Sequence, residues 1–423
     1  MMSKLLAFTV LACFAAGAYA EKGYVFDRDG QSSVSFDGQT ARLNMADEIY
    51  DALNTNETTD KAMLIQMYTD GTGFSDATLD ESGKNVGGKT AAGCLSGKNE
   101  ELQEKFVTWL DDFADNVVPA WDTPAADGSA GFLEDDKRKM NVNAQGWELD
   151  QVFQKSLIGA FALDQIVNNY LAACKLDAGT NQEDNTNGVT ADGKSYTKME
   201  HAWDEAFGYL YGQEEDPGRA DLGAAPSGSG TLMNKYLKKT DAGDVAPGIA
   251  QSVYDAFVTG RQAIVDGDYE TRDAQAKIIQ VDLSKVIGAM VVNYLDEYMA
   301  KKADTPADAI HALSEGYGFV FSLPFTNDGT GKPYFTEEEV EGFLTKMNNF
   351  WTVDDADLTD IVAQVQTRFG FEGDDAAAGG EGGDDAAAGG EGDDAAAGGE
   401  GGDAPAEMPE MPEEPPASDD DGK

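Results

Sequence analysis

The feature that most constrains the fold of this chain is an internal repeat carried on two apolar segments. The pentapeptide LIGAF at residues 157–161 recurs as VIGAM at residues 286–290. Further along, HAWDEAFGYLY at 201–211 recurs as HALSEGYGFVF at 311–321. The distance in sequence between the two blocks differs between the copies. It is 42 residues from Gly159 to His201 in the first copy and 23 residues from Gly288 to His311 in the second. The surplus falls in a polar loop at 176–196, where insertions are tolerated. The repeat therefore predicts two related helical halves packed about a pseudo-twofold axis.

Most of the chain between these blocks also has the apolar periodicity of helices. In the first such segment Leu43, Ala46, Ile49 and Leu53 fall on one helical face. Helical patterns cover residues 40–53, 102–118, 146–174, 198–212, 246–266, 271–300, 306–323, 336–350 and 355–368. Strand-like alternation is confined to 24–26 and 33–36, which predicts a short N-terminal hairpin with its turn at 27–30. The predicted class is all-α, with helices packed as bundles.

The N-terminus has the organisation of a secretory signal peptide over residues 1–20. A short positive start is followed by an apolar region at 5–17, and an A-x-A cleavage site ends at Ala20. A competing interpretation takes Cys13 as the lipidated residue of a lipoprotein signal. The expected location is therefore periplasmic or extracellular, with cleavage after Ala20.

The C-terminus is of low complexity. The sequence DDAAAGGEG occurs three times, starting at residues 374, 384 and 393. Glycine and like charge oppose helix formation and collapse, so residues 372–423 are predicted to form a disordered acidic tail. The body is divided by prediction into an N-terminal helical half at 21–212, a linker at 213–245 and a C-terminal helical half at 246–371.

The charge of the chain excludes whole classes of partner. The chain has 30 Lys and Arg residues and 78 Asp and Glu residues, so its formal net charge is −48. Surfaces that grip nucleic acid or anionic lipid need clustered basic residues, so neither partner is expected. Beyond the signal peptide no stretch approaches 18 uninterrupted apolar residues, and no transmembrane segment is predicted.

Two cysteines remain once the predicted signal peptide is removed. Cys94 and Cys174 are an even pair, and an oxidising compartment would allow a disulfide between them. Two buried free thiols are the alternative, because sequence does not show whether the residues approach each other.

His201 and His311 are the only histidines in the chain, and each opens a copy of the second repeated block. Glu205 and Glu315 follow at i+4, on the same helical face, and Asp204 joins the first copy at i+3. Imidazole and carboxylate are common ligands of iron, zinc and copper. If the pseudo-twofold axis brings the two helices together, these side chains would form one metal site inside a bundle.

Other readings of the motif remain open at this point. Possible additional ligands or orienting groups are Glu148, Asp164 and Glu297. Each His–Glu pair could instead join two helices structurally, and a catalytic role is the third possibility. No H-E-x-x-H, Walker, Rossmann or G-x-S-x-G motif is present, so whether the protein is an enzyme is uncertain and a binding protein is favoured.

Several blocks resemble the signature of an uncharacterised bacterial envelope family. They are SSVSFDGQTARL at 32–43, NAQGWE at 143–148, HAWDEAFGY at 201–209 and HALSEGYGF at 311–319. The family carries only a domain-of-unknown-function label. The chain is more distantly similar to imelysin-like proteins, which implies two helical-bundle halves and a metal-binding G-x-H-x-x-E motif. No glycine lies two residues before either histidine, so only His201 with Asp204 could stand in for the His–Glu pair of that motif.

The sequence as a whole predicts a secreted or periplasmic binding protein. Its expected ligand is a transition metal, iron first, bound at the repeated motif and connected with metal uptake; a small cationic ligand is the other expectation. The alternatives are a metal-dependent hydrolase of the imelysin type and a structural or adhesion protein of the envelope.

Overall fold

The computed structural model describes residues 23–56, 60–218 and 228–371. The predicted signal peptide, Cys13 and the predicted acidic tail lie outside these ranges. The described part of the chain is mostly helical, which confirms the predicted class.

Fourteen α-helices form the described body. They are α1 Asp37–Leu53, α2 Lys61–Thr69, α3 Ala77–Glu81, α4 Glu100–Asp112, α5 Leu149–Leu157, α6 Ala173–Leu176, α7 Asn181–Thr186, α8 Lys198–Tyr211, α9 Met233–Asp241, α10 Ile249–Asp266, α11 Tyr269–Lys301, α12 Pro306–Ser322, α13 Glu337–Lys346 and α14 Asp355–Phe369. Wider π-helical turns extend α4 over Phe113–Val117 and α5 over Ile158–Tyr170, and short 3-10 turns lie at Gly87–Lys89, Val118–Ala120 and Leu323–Phe325.

Two antiparallel hairpins accompany the helices. In the first, β1 (Asp27–Arg28) pairs with β2 (Gln31–Ser32), so its strands lie within and just after the predicted turn. Asp29 and Gly30 both have positive φ and form a two-residue turn, which places the strands directly beside them. The second hairpin pairs β3 (Gly131–Glu134) with β4 (Lys139–Val142). This second hairpin was not predicted from the sequence.

Side-chain caps fix the starts of several helices. The side chain of Asn99 accepts a hydrogen bond from the backbone N–H of Leu102 and caps α4. Thr197 and Thr336 each form a reciprocal capping box with the Glu at the third helical position, starting α8 and α13. The second box is the one that the TEEE sequence at 336–339 predicts.

Helix α11 lies at the centre of the C-terminal packing. It packs mainly against α10 and α12 and also against α14, and fifteen of its residues are buried. By length and composition α11 could cross a membrane, with a mean hydropathy of 1.4 in its most apolar window. Of that window 67% is buried inside the described body, and a buried core helix passes the same test of length and composition.

The segments of the predicted halves are packed together. Helix α12 packs extensively on α5, and the π-helical segment after α5 packs on α8. Residues 23–371 lie in one compact unit. The predicted linker contains helix α9. The LIGAF block lies at the start of the π-helical segment, whereas VIGAM lies in regular helix α11. The arrangement as two repeated halves stays a prediction.

Candidate functional site

The first motif copy lies on α8, and its acidic residues belong to a buried ion-pair network. Arg261 on α10 is fully buried and donates Nε to Asp204 Oδ1 at 2.9 Å and Nη1 to Glu200 Oε1 at 3.0 Å. Arg28 donates two hydrogen bonds to Glu200, both at 2.9 Å. The Tyr24 hydroxyl donates to Asp204 at 2.6 Å. Burial raises the pKa of Asp204 to about 6, and Arg261 opposes the rise. The network joins the N-terminal segment to α8 and α10.

His201 itself lies at the edge of this network. Its side chain is 31% exposed, and its ring stacks on Tyr196 with centroids 4.5 Å apart. His201 Nε2 is 3.9 Å from Glu205 Oε1, and that oxygen accepts a hydrogen bond from Gln39 at 2.9 Å. Nδ1 of His201 has no hydrogen-bond partner within the described ranges. The first histidine therefore has one loose carboxylate contact.

The second motif copy, on α12, holds its histidine much more tightly. His311 Nδ1 is 2.6 Å from Glu148 Oε2, and Nε2 is 3.6 Å from Glu315 Oε2. Burial by itself would lower the pKa of His311, but the carboxylates of Glu148 and Glu315 together outweigh burial and the pKa is raised. Ser314 occupies the motif position of Asp204, and its hydroxyl accepts a hydrogen bond from the backbone N–H of Glu148 at 3.1 Å. Hydrogen bonds thus join the His311 helix, α12, to the start of α5.

A lysine completes the charges around the second copy. Lys155 on α5 has a side chain only 5% exposed, and its Nζ is 3.4 Å from Glu315 Oε1. The ammonium also lies over the rings of Tyr50 and Tyr236, at 5.5 and 5.4 Å from their centroids. Burial lowers the pKa of Lys155 and raises the pKa of Asp150 to about 7. We call the following residues the His311 cluster: Glu148, Asp150, Lys155, His311 and Glu315.

Only one of the three predicted orienting carboxylates contacts a motif histidine. That residue is Glu148. Asp164 is fully buried and accepts hydrogen bonds from the backbone N–H groups of residues 92–93, so it anchors that loop. Glu297 forms an ion pair with Lys301 at 2.5 Å. Sequence spacing alone did not distinguish these three environments.

The two motif copies stay in separate networks. Across residues 23–56, 60–218 and 228–371, no hydrogen bond or ion pair links His201, Asp204 or Glu205 to the His311 cluster. Within the same ranges no three His, Cys, Asp or Glu side chains are placed to hold a metal ion. Arg261 already neutralises Asp204, and Lys155 already lies beside Glu315. The geometry does not favour the predicted metal site, which stays a prediction.

A groove between α4 and α13 brings together residues that were not among the predicted site residues. It contains a cavity of about 350 Å³. Its floor includes the aromatic residues Trp147, Tyr317, Phe321 and Phe325. Its charged lining residues are Glu101, Lys105, Glu337 and Glu341. The ring centroids of Trp147 and Tyr317 are 4.9 Å apart. We call this cavity and its lining the α4–α13 groove.

Charges in the α4–α13 groove are only partly satisfied by the protein. Glu101 and Glu341 are exposed, and neither carboxylate forms an ion pair or hydrogen bond with another described residue. Lys105 lies over the Phe321 ring at 5.6 Å from its centroid. The indole N–H of half-buried Trp147 has no hydrogen-bond partner in the described part of the chain. The groove thus offers free carboxylates beside an aromatic lining.

A weak signal for this groove is present in the sequence. Glu101 and Lys105, and likewise Glu337 and Glu341, are spaced i,i+4 and therefore share a helical face. Nothing in the sequence shows that these two faces meet across an aromatic floor. Tyr317 belongs to the second motif copy, where its aromatic character indicates core packing.

The described part of the chain is thus a helical body with a charged groove that aromatic residues line. The chain belongs to the family described as Domain of unknown function (DUF4856), whose model matches residues 21–372. This confirms the predicted membership of an uncharacterised family. No curated protein and no solved structure gives a significant match to the chain. The more distant similarity to imelysin-like proteins stays a prediction.

Proposed function

We propose that this protein is an extracytoplasmic binding protein whose α4–α13 groove takes an organic cation. The observation that carries the proposal is the position of Glu101 and Glu341, one on each bordering helix, with no partner among the described residues. A cation between them would gain charge-assisted hydrogen bonds from both carboxylates. It would also lie near Trp147, the one partly exposed aromatic residue of the described lining, and aromatic rings attract positive charge.

The charge of the whole chain supports the same ligand class. A formal net charge of −48 produces a negative potential that raises the local concentration of cations. Long-range attraction is screened beyond about 8 Å at physiological ionic strength, so affinity has to come from the groove. The acidic surface therefore favours encounter, and the groove supplies selectivity.

A disulfide supports the extracytoplasmic part of the proposal. Cys94 and Cys174 are bonded to each other across 80 residues of sequence, with their Cα atoms 6.4 Å apart. Disulfides persist in oxidising compartments and are rare in the cytosol. The bond agrees with the expected secretion signal at residues 1–20.

Titration calorimetry of the full chain with arginine amide, at physiological salt, tests the proposed function. We expect saturable 1:1 binding that the double variant Glu101→Gln/Glu341→Gln weakens about tenfold, or about 1.4 kcal/mol. The matched control is Glu270→Gln/Glu338→Gln. It removes the same charge from two exposed helical positions that line none of the described cavities.

Two results would overturn the proposed function. One is binding weaker than about 10 mM, and the other is an equal loss of affinity in both double variants. Elemental analysis of the same protein after dialysis against iron, zinc and copper checks the competing metal prediction. Stoichiometric metal that disappears in both His201→Ala and His311→Ala would favour the metal over the organic cation.

A further inference from the structure

We propose that the ligand of the α4–α13 groove is an extended cationic peptide segment of about seven or eight residues. This inference rests on the proposed function and specifies its ligand. The observations behind it are the continuity of the groove with two neighbouring cavities, its length, and the chemistry of its lining.

The groove continues into a further cavity at each end. One neighbour, of about 270 Å³, is lined by Asn99 and by the loop at 95–97. It shares with the groove the residues Leu102, Pro324, Phe325 and Glu337. The other neighbour, of about 750 Å³, reaches Asn116. It shares with the groove the residues Glu101, Lys105, Trp147 and Tyr317. The three cavities therefore adjoin one another along α4 through these shared lining residues, and we call them together the channel.

The length of this channel exceeds what a compact cation can fill. Its lining runs from Asn99 to Asn116 along α4 and its π-helical extension. At 1.5 Å per helical residue this corresponds to about 25 Å. An extended chain covers about 3.3 Å per residue, so about seven or eight residues fit. A single amino acid or small amine would occupy only one of the three cavities.

The chemistry of the channel also matches a peptide better than an isolated cation. Lys61 already pairs with Asp111 and Asp115 at one end, so the free negative charge lies further along. Glu104 is exposed there and, like Glu101, its carboxylate has no partner among the described residues. Successive carboxylates suit successive Lys or Arg side chains.

Binding of three probes to the full chain tests this inference. The probes are an eight-residue peptide of alternating Lys and Ala, the same peptide with Glu in place of Lys, and N-acetyl-lysine amide. Four lysines give a statistical advantage of only about fourfold over one. We therefore expect the cationic peptide to bind at least about tenfold more tightly than N-acetyl-lysine amide, and the acidic peptide not to bind.

A variant outside the central cavity makes the test specific for length. Glu104→Gln should weaken binding of the cationic peptide about threefold and leave that of N-acetyl-lysine amide unchanged. Glu338→Gln, which lies outside the described cavities, should change neither.

Each other outcome identifies which proposal fails. If N-acetyl-lysine amide binds within about fourfold of the peptide, the extended ligand is overturned and the proposed function stands. If neither cationic probe binds, the proposed function fails as well. Equal binding of the acidic peptide would overturn both, since charge complementarity carries both.

Discussion

The two copies of the HAxxE motif place the same residue pattern in opposite electrostatic settings. On α8 the buried charges are Asp204 and Glu200, paired with arginine, while His201 is 31% exposed. On α12 the histidine is the buried partner, since His311 is only 13% exposed and lies 2.6 Å from Glu148. A single position explains much of this contrast, because the third residue after the histidine is Asp in one copy and Ser in the other.

The repeated sequence therefore determines where the helices form and which side chains share a helical face. It does not determine the partners of those side chains. Asp204 is buried with a charge, so it needs Arg261 beside it. Ser314 is neutral, and its hydroxyl binds a backbone N–H. The cationic side chain near the second copy comes instead from α5, as Lys155. The two copies thus follow the same helical pattern with unrelated partners, and a shared metal site does not follow from the shared pattern.

Removing the arginine of the first copy should have the largest effect on stability. Arg261→Met leaves Asp204 and Glu200 buried with reduced compensation, because Arg28 pairs with Glu200 but not with Asp204. We expect a loss of about 3–5 kcal/mol in the free energy of unfolding, measured by urea denaturation. The triple variant that adds Asp204→Asn and Glu200→Gln should recover much of it. A loss below about 1 kcal/mol for Arg261→Met would show that the ion pairs of Arg261 with Asp204 and Glu200 are exposed to water.

The motif glycines allow a second test of the comparison. A Cβ on Gly318 would lie 2.4 Å from Lys155 Cβ and 2.9 Å from the backbone of Lys155 and Ser156 on α5. A Cβ on Gly208 would lie 2.4 Å from Phe36 Cβ, with no backbone atom among its three nearest neighbours. Two packed helices have less freedom to move apart than one residue at a helix start. We expect Gly318→Ala to cost about 2–3 kcal/mol and Gly208→Ala about 1–2 kcal/mol.

Thermal and urea unfolding of the two glycine variants measure this difference. Gly342→Ala is a suitable reference, because a Cβ there meets nothing within 4 Å and the substitution only replaces a helical glycine. A Gly208→Ala loss equal to or greater than that of Gly318→Ala would contradict the tighter packing of the second copy.

The sequence predicted the fold more fully than the site for identifiable reasons. Helices can be predicted from local sequence, because apolar periodicity and capping residues such as Thr336 lie within the helix or next to it. The hairpin at 131–142 is short and lies between helices, so its alternation was too brief to recognise. Glu148, predicted as a possible additional ligand or orienting group of the metal site, contacts His311, but the metal site itself stays a prediction. Lys155 was missed because it stands in an apolar segment whose periodicity indicates only a buried helix.

The α4–α13 groove was not predictable in the same way. Its walls come from α4 and α13, which are more than 200 residues apart in sequence. Side-chain spacing can place Glu101 and Lys105 on one face, but only the packing of α12 beneath both helices sets Tyr317 and Phe321 between them. A site built from long-range packing leaves little local trace.

The smallest of the three effects concerns pH. Because the pKa of His311 is raised in the folded state, its stabilising contribution is present below the unfolded value of about 6.5. That contribution is lost as pH rises through the folded pKa. Asp150, whose pKa burial raises to about 7, acts in the same direction between about pH 4 and pH 7. The free energy of unfolding should therefore fall between pH 6 and pH 8.

His311→Gln should make this fall shallower by about 1.5 kcal/mol, the lower end of the scale for a hydrogen bond to a charged group. Urea denaturation at pH 6, 7 and 8 measures it. His201→Gln is the matched control, since it makes the same substitution at a histidine with a single contact at 3.9 Å, and it should keep the wild-type slope. Adding Asp150→Asn to His311→Gln should make the profile shallower still, because it removes a second group whose pKa is raised in the folded state. If His201→Gln flattens the profile as much as His311→Gln, the electrostatic contrast between the two motif copies is wrong.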